Sequence, residues 1–208
     1  MRAAALNLPV VVLFAALAAG GAVREVVRRV RARRRVAAGG RTLEDNALVT
    51  LTGTVHPLAP LLAAPLTARP CIAHRTRARV YDPNARSQGR PPVTTHTRSE
   101  LVRFELRSSA GNIVVDGDRF ELDMRLREIR RRYIAREQAF LQGTGLPYHP
   151  DSVTCDQAIV APGQTITVHG VVRVEVATAG AGETGFRDVA RAMRIVGDER
   201  HPLVITDA

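Results

Sequence analysis

Two cysteines and six histidines are the side chains of this 208-residue chain that are best suited to nucleophilic, acid–base or metal chemistry. Their spacing does not fit a zinc site, since C-x-x-C, H-x-x-x-H and H-E-x-x-H are all absent. Isolated histidines are typical of surface or hydrogen-bonded structural positions. The six are His56, His74, His96, His149, His169 and His201. The sequence therefore predicts no metal site and no cofactor.

Cys71 lies in the stretch LLAAPLTARPCIAHRTRARV, residues 61–80, where it follows Pro70 and begins an alternating segment. Three roles are open for it: a buried structural thiol, one half of a disulfide with Cys155, or a reactive group. No adjoining cysteine, acid or base is placed to lower its pKa, which favours the structural role.

Catalytic motifs of other kinds are also missing. The chain has no G-x-S-x-G, and because all 30 of its basic residues are arginine, it has neither a P-loop lysine nor a Schiff-base lysine. Four carboxylates fall at predicted strand ends and turns, where solvated or turn-forming roles are expected: Glu100, Glu105, Asp116 and Asp118. The sequence predicts no catalytic residue and no enzyme activity. Arginine in place of lysine, with frequent alanine, glycine and valine, is typical of a GC-rich bacterial genome.

Alternating apolar and polar residues predict strands through most of residues 47–208. Strands are expected in ALVTLTGTV (47–55), CIAHRTRARVYD (71–82), the hairpin LVRFELRSSAGNIVV (101–115) and QAIVAPGQTITVHGVVRVEVAT (157–178), with one or two more near the C-terminus. PNARSQGRPPVTTHT (83–97) predicts a long exposed loop.

Helical spacing occurs once in this region, in ELDMRLREIRRRYIAREQAFLQGTG (121–145). The residues at that spacing are Leu122, Leu126, Ile129, Tyr133 and Phe140. They predict one amphipathic helix of about five turns that ends near Gly143. Because no βαβ alternation appears, the expected fold is mainly β, a curved antiparallel sheet or small barrel with one inserted amphipathic helix.

The N-terminus predicts a membrane anchor. Residues 3–23 carry no charge, and as a helix they would extend about 31 Å, roughly one bilayer core. Arginines follow directly in REVVRRVRARRR, and such a flank resists translocation, so we expect one uncleaved helix in the inner membrane with the folded part in the cytoplasm. A cleaved signal peptide is the alternative. The expected organisation is an anchor at 1–23, an arginine-rich linker at 24–46 and a β domain at 47–208.

Residues 1–35 hold +7 of the total charge of +10, which leaves the β domain weakly basic. No aromatic residues alternate with the arginines of the flank, so we expect lipid headgroups rather than nucleic acid as their partner. The expected membrane-surface contacts are Arg28, Arg29, Arg31, Arg33, Arg34 and Arg35.

Four segments in order, VTLTGTVHP, LLAAPLTARPCIAHRTRARV, FELRSSAGNIVVDG and QAIVAPGQTITVHGVV, resemble the GIDE domain, also called the BAM ("beside a membrane") domain. The resemblance extends from residue 49 to about residue 176. It implies a structural signature, in which the glycines occupy turns, bulges or close backbone approaches and the cysteine begins a core strand. Its members here are Gly53, Pro65, Pro70, Cys71, Phe104, Gly111, Pro162, Gly163 and Gly170.

The best-known members of that family are membrane-anchored RING-type ubiquitin ligases of mitochondria and chloroplasts. This sequence contains no RING cysteines and one apolar segment rather than two, so ligase activity is not expected of it. The resemblance implies a single-pass membrane protein whose β domain is a non-catalytic module that recruits an unknown protein partner or lies on the membrane surface. The alternative is a component of an E3-like enzyme that takes its catalytic groups from a partner.

Overall fold

Alternation of apolar and hydroxylated residues in LVTLTGTVHP produces the first strand, whose buried positions are Val49, Leu51, Gly53 and Val55. The computed structural model describes residues 43–82, 93–129, 133–146, 148–176 and 191–208, all of which belong to one compact unit, Gly39–Ala208. The strands are β1 (Leu48–Pro57), β2 (Leu62–Ala63), β3 (Pro70–Cys71), β4 (Ala73–Tyr81), β5 (Val93–Leu101), β6 (Phe104–Ser108), β7 (Gly111–Val115), β8 (Phe120–Asp123), β9 (Arg127–Glu128), β10 (Val153–Val160), β11 (Thr165–Val176), β12 (Arg191–Val196) and β13 (Leu203–Asp207). The helix of the described residues is α1 (Ile134–Leu141).

Five strands close into a barrel. The order is β1, β6, β7, β12 and β11, and the pairing of β11 with β1 completes the circle. All neighbours are antiparallel except β7 and β12, which run parallel. This connectivity, with parallel third and fifth barrel strands, is that of an OB-type Greek-key barrel. The expectation of a mainly β fold is therefore confirmed, and of the two expected forms, a curved antiparallel sheet or a small barrel, the structure shows the barrel.

The barrel interior is filled by aliphatic side chains and one aromatic ring. Its fully buried members include Val49, Val55, Phe104, Leu106, Ile113, Val115, Ile166, Val168, Val172 and Ile195. Complete burial of such side chains contributes about 1.5–3 kcal/mol each before the entropy cost of ordering them. The barrel is therefore the main hydrophobic core.

Two long excursions from the barrel build a second sheet. The segment between β1 and β6 contributes β4 and β5, and the segment between β7 and β11 contributes β9 and β10, in the order β5-β4-β10-β9. Helix α1 covers one face of this sheet, where Phe140 and Leu141 join Leu66, Val80 and Cys155 in a smaller core. The second sheet thus has its own hydrophobic support.

Strand β13 extends the barrel sheet beside the first half of β11 and pairs in parallel with β8. The chain reaches it through Gly197, where an added Cβ would lie 2.2 Å from the carbonyl oxygen of Arg119. This close approach between backbones has room for glycine alone.

Two sequence predictions are wrong in part. Val93–Leu101 is a strand and not the end of a loop, and residues 83–92 of that predicted loop lie outside the described residues. The segment is an edge strand, so VTTHTRSEL has no need of the apolar alternation that marks buried strands.

The predicted five-turn helix is also shorter than expected. Its first part forms β8 and β9, and the helix covers Ile134–Leu141. Leu122 and Leu126 are four residues apart, a spacing that suits a helix turn and is equally a multiple of the two-residue strand repeat. The helix ends beside Gly143, whose φ is +82°, as the sequence predicts.

Within the residues that the structure describes, no helix has the length and apolar character needed to cross a bilayer. The predicted anchor at 1–23 and the flank with Arg28, Arg29, Arg31, Arg33, Arg34 and Arg35 lie outside those residues.

Candidate functional site

The residues of the predicted signature occupy structural positions. Gly53 and Gly170 lie in barrel strands where an added Cβ would come within 3 Å of neighbouring atoms. Gly111 and Gly163 adopt positive φ angles of +112° and +77° at turns. Phe104 is fully buried in the barrel. The remaining members are the half-buried Pro65, the exposed Pro70 and Pro162, and the buried Cys71.

Both cysteines are free and buried, so the disulfide alternative is not realised. Burial, with a smaller effect of Glu100, raises the pKa of Cys71 to about 11. Burial and two nearby carboxylates raise that of Cys155 to about 12. Because the thiolate is the reactive form, neither residue is set up as a nucleophile. The structure favours the structural role of Cys71.

His74, which sequence analysis treated as an isolated histidine, is buried and pairs with the partly exposed Glu100. Its side chain is 0% exposed, and its Nε2 lies 3.3 Å from Oε2 of Glu100 on the adjacent strand β5. Glu100 in turn accepts a hydrogen bond of 2.6 Å from Nε of Arg98. Nδ1 of His74 has no hydrogen-bond partner among the described residues. Because His74 is fully buried, a substrate has no access to its imidazole.

Acid is expected to destabilise the fold through His74. Burial lowers its pKa below the ordinary 6.5, and Arg98 acts in the same direction, although Glu100 opposes both. The unfolded chain therefore binds a proton that the folded chain does not, so the free energy of unfolding falls as the pH drops through 6.5 and levels off below the folded pKa. His74→Gln should flatten this part of the profile in urea unfolding followed by circular dichroism.

The matched control for that measurement is His149→Gln, since His149 is exposed. It should retain the wild-type slope between pH values of about 7.5 and 5. Desolvation raises the pKa of Glu100, but the hydrogen bonds and charges of Arg98 and His74 outweigh it and lower that pKa overall. The contribution of Glu100 to the free energy of unfolding is therefore lost only below pH 4.5. Equal slopes in wild type and His74→Gln would contradict the prediction.

The arginines of β4 are partly neutralised. Arg77 donates from Nε and Nη2 to Oδ2 of Asp156 at 3.0 and 2.7 Å, and Arg79 lies 3.4 Å from the same oxygen. Asp156 is 6% exposed, so these charge-assisted bonds fix the guanidinium groups against the sheet. This face is therefore a stabilising network in which one carboxylate offsets part of the arginine charge.

A cleft whose arginines have no carboxylate partner among the described residues lies where the turn before β3, the segment around β9 and the turn after β10 meet the end of β13. It has a volume of about 350 Å³ and is lined by Thr67, Arg69, Met124, Arg125, Arg127, Ile129, Gln157, Ala158, Ile159, Ala161, Gln164 and Asp207. Its three arginines are exposed, and none forms an ion pair with another described residue. We refer to it as the arginine cleft.

The polar floor of the arginine cleft is held in place by neighbours. Gln157 accepts a hydrogen bond from Thr67 at 2.9 Å and donates one to Thr76 at 2.9 Å. Oε1 of Gln164 accepts from the backbone amide of Ala161 at 3.0 Å. Sequence analysis missed this site because Arg69 lies in a different segment from Arg125 and Arg127, and no local motif brings the three together.

No protein-family model matches the chain, and comparisons with curated proteins and with solved structures give no match either. The resemblance to the GIDE/BAM domain therefore rests on the quoted motifs and stays a prediction.

A glycine pattern that sequence analysis overlooked is G-x-G-x-x-G at residues 180–185, which lie outside the described residues. In dinucleotide-binding proteins this pattern connects a strand to a helix within a parallel βαβ unit. Here the flanking strands β11 and β12 are antiparallel barrel neighbours. The pattern therefore lacks the topology that would make it a dinucleotide site.

Proposed function

We propose that this chain is a membrane-anchored, non-catalytic module that recruits a protein partner at a membrane surface. One observation supports it above the others: Cys71 and His74 are both fully buried, whereas the arginine cleft is open and charged. A nucleophile or base must reach its substrate, and a binding module needs only an accessible surface.

The membrane part of the proposal comes from the sequence. Residues 1–23 would form the anchor, and the arginines of residues 24–35 would contact anionic headgroups at about 1 kcal/mol each. The resemblance to the GIDE/BAM domain supports the same location. Ubiquitin ligase activity is not part of the proposal.

Site-specific photo-crosslinking in native membranes tests recruitment. Probes replace three exposed residues on different surfaces of the domain, Leu58, Arg125 and Ala135, and the adducts are identified by mass spectrometry. We expect one protein to be captured repeatedly from one of the three positions. Adducts to lipid alone would indicate a membrane-surface role and overturn recruitment.

The companion variant is Cys71→Ala. We expect it to reduce stability by about 1–2 kcal/mol and to leave partner capture intact well below its melting temperature. Loss of capture with unchanged stability would instead favour the alternative of an enzyme component whose chemistry depends on that thiol.

A further inference from the structure

We propose that the arginine cleft binds a small organic phosphate monoester, with the phosphoryl group on the arginines and the organic group on the apolar part of the lining. This inference goes beyond the recruiting function and does not depend on the membrane anchor. It rests on the charge, the size and the composition of the cleft.

The charge of the cleft is unbalanced. Arg69, Arg125 and Arg127 contribute three positive charges, and Asp207 is the one carboxylate among the described lining residues. None of the four forms an ion pair with a described residue, in contrast to Arg77 beside Asp156. A surplus of about two positive charges complements a phosphate monoester, which carries about −1.5 to −2 near neutral pH.

The donors suit tetrahedral oxyanions. Guanidinium groups present planar pairs of N–H donors that bind phosphate oxygens two at a time. Gln164 can add a further donor, because its Oε1 is engaged by Ala161 while its Nε2 has no hydrogen-bond partner among the described residues. Three guanidinium groups and an oriented amide supply more donors than a single carboxylate can accept.

The size and the remaining lining favour a small ligand. A volume of about 350 Å³ lies at the lower end of the range for small-molecule sites. Met124, Ile129 and Ile159 provide apolar surface for a compact organic group. The described lining includes no aromatic ring on which a base could stack, so a nucleic-acid strand is a poor match.

The test uses the full-length protein in lipid nanodiscs, with phenyl phosphate as the probe and isothermal titration calorimetry at low salt. Arg125→Gln combined with Arg127→Gln should weaken binding by about tenfold or more, because two charge-assisted contacts are lost. The control Arg103→Gln combined with Arg119→Gln removes the same charge from exposed arginines outside the cleft and should change the Kd by less than about twofold.

Three results would overturn the proposal. Equal Kd values for the wild type and the cleft variant would show that phenyl phosphate does not bind in the cleft. An equal loss of affinity in the control variant would show that binding depends on overall charge and not on the cleft. Equal affinity for phenyl sulfate, a monoanion of similar shape, would show that the cleft does not prefer a dianion. Vesicles containing phosphoinositides form a separate arm: binding to them without binding of phenyl phosphate would assign the cleft to a lipid headgroup.

Discussion

Replacing Phe104 with alanine is expected to lower the free energy of unfolding by about 3–5 kcal/mol. The ring is 0% exposed and stands at the start of β6, opposite Pro57 on one neighbouring strand and Val115 on the other. Its loss leaves a cavity in a barrel whose backbone cannot collapse around it, since the strands are hydrogen-bonded in a closed circle. At about 2–4 °C per kcal/mol, the melting temperature should fall by roughly 6–20 °C.

Urea denaturation followed by circular dichroism measures this effect. The control is Leu58→Ala, because Leu58 is 50% exposed in the loop after β1 and its truncation should change stability by less than about 0.5 kcal/mol. Similar losses in the two variants would mean that the ring of Phe104 is not enclosed by the barrel.

Replacing Gly53 with alanine is expected to cost about 3 kcal/mol, at the upper end of the range for overpacked sites. The new Cβ would lie 2.4 Å from the carbonyl oxygen of Arg107 and 3.1 Å from Cγ of Leu106. Arg107 belongs to β6, and the hairpin to β7 holds its backbone in place. The methyl group can be accommodated only if β1 moves away from β6, which weakens closure of the barrel.

Gly143→Ala separates this steric effect from the conformational preference of glycine. Gly143 has a positive φ of +82° but open space around an added Cβ, so its cost should be about 1–2 kcal/mol. A cost at Gly53 that does not exceed the cost at Gly143 would refute the close approach between β1 and β6.

The sequence predicts the barrel strands well because each has one face in the core. In β1, β6, β7 and β11 the apolar residues recur at every second position, and the turn glycines mark their ends. Closure could not be predicted in this way. The parallel pairing of β7 with β12 joins distant segments, and the residue pattern of neither strand indicates it.

Prediction fails where a residue's role depends on a distant partner. The edge strand β5 lacks alternation, and the stretch before α1 satisfies both a helical and a strand repeat. The pairing of His74 with Glu100 likewise depends on the register of two strands whose partners are 26 residues apart. The arginine cleft collects its charges from three separate parts of the chain, the turn before β3, the segment around β9 and the end of β13, so residue types alone could not indicate it.

The insertion of the second sheet between the barrel strands has a consequence for synthesis on the ribosome. Thr50 of β1 hydrogen-bonds His169 of β11, which lies 119 positions later, and β12 is needed after that to close the barrel. At about 5–20 residues per second, roughly 6–24 s pass between the emergence of Thr50 and that of His169. During that interval the first half of β1 lacks its β11 partner, while β6 can already pair with the second half of β1 and the β4–β5 and β6–β7 hairpins can form. The barrel therefore cannot close until β11 and β12 have emerged, and until then the apolar residues in the first half of β1 need protection from aggregation.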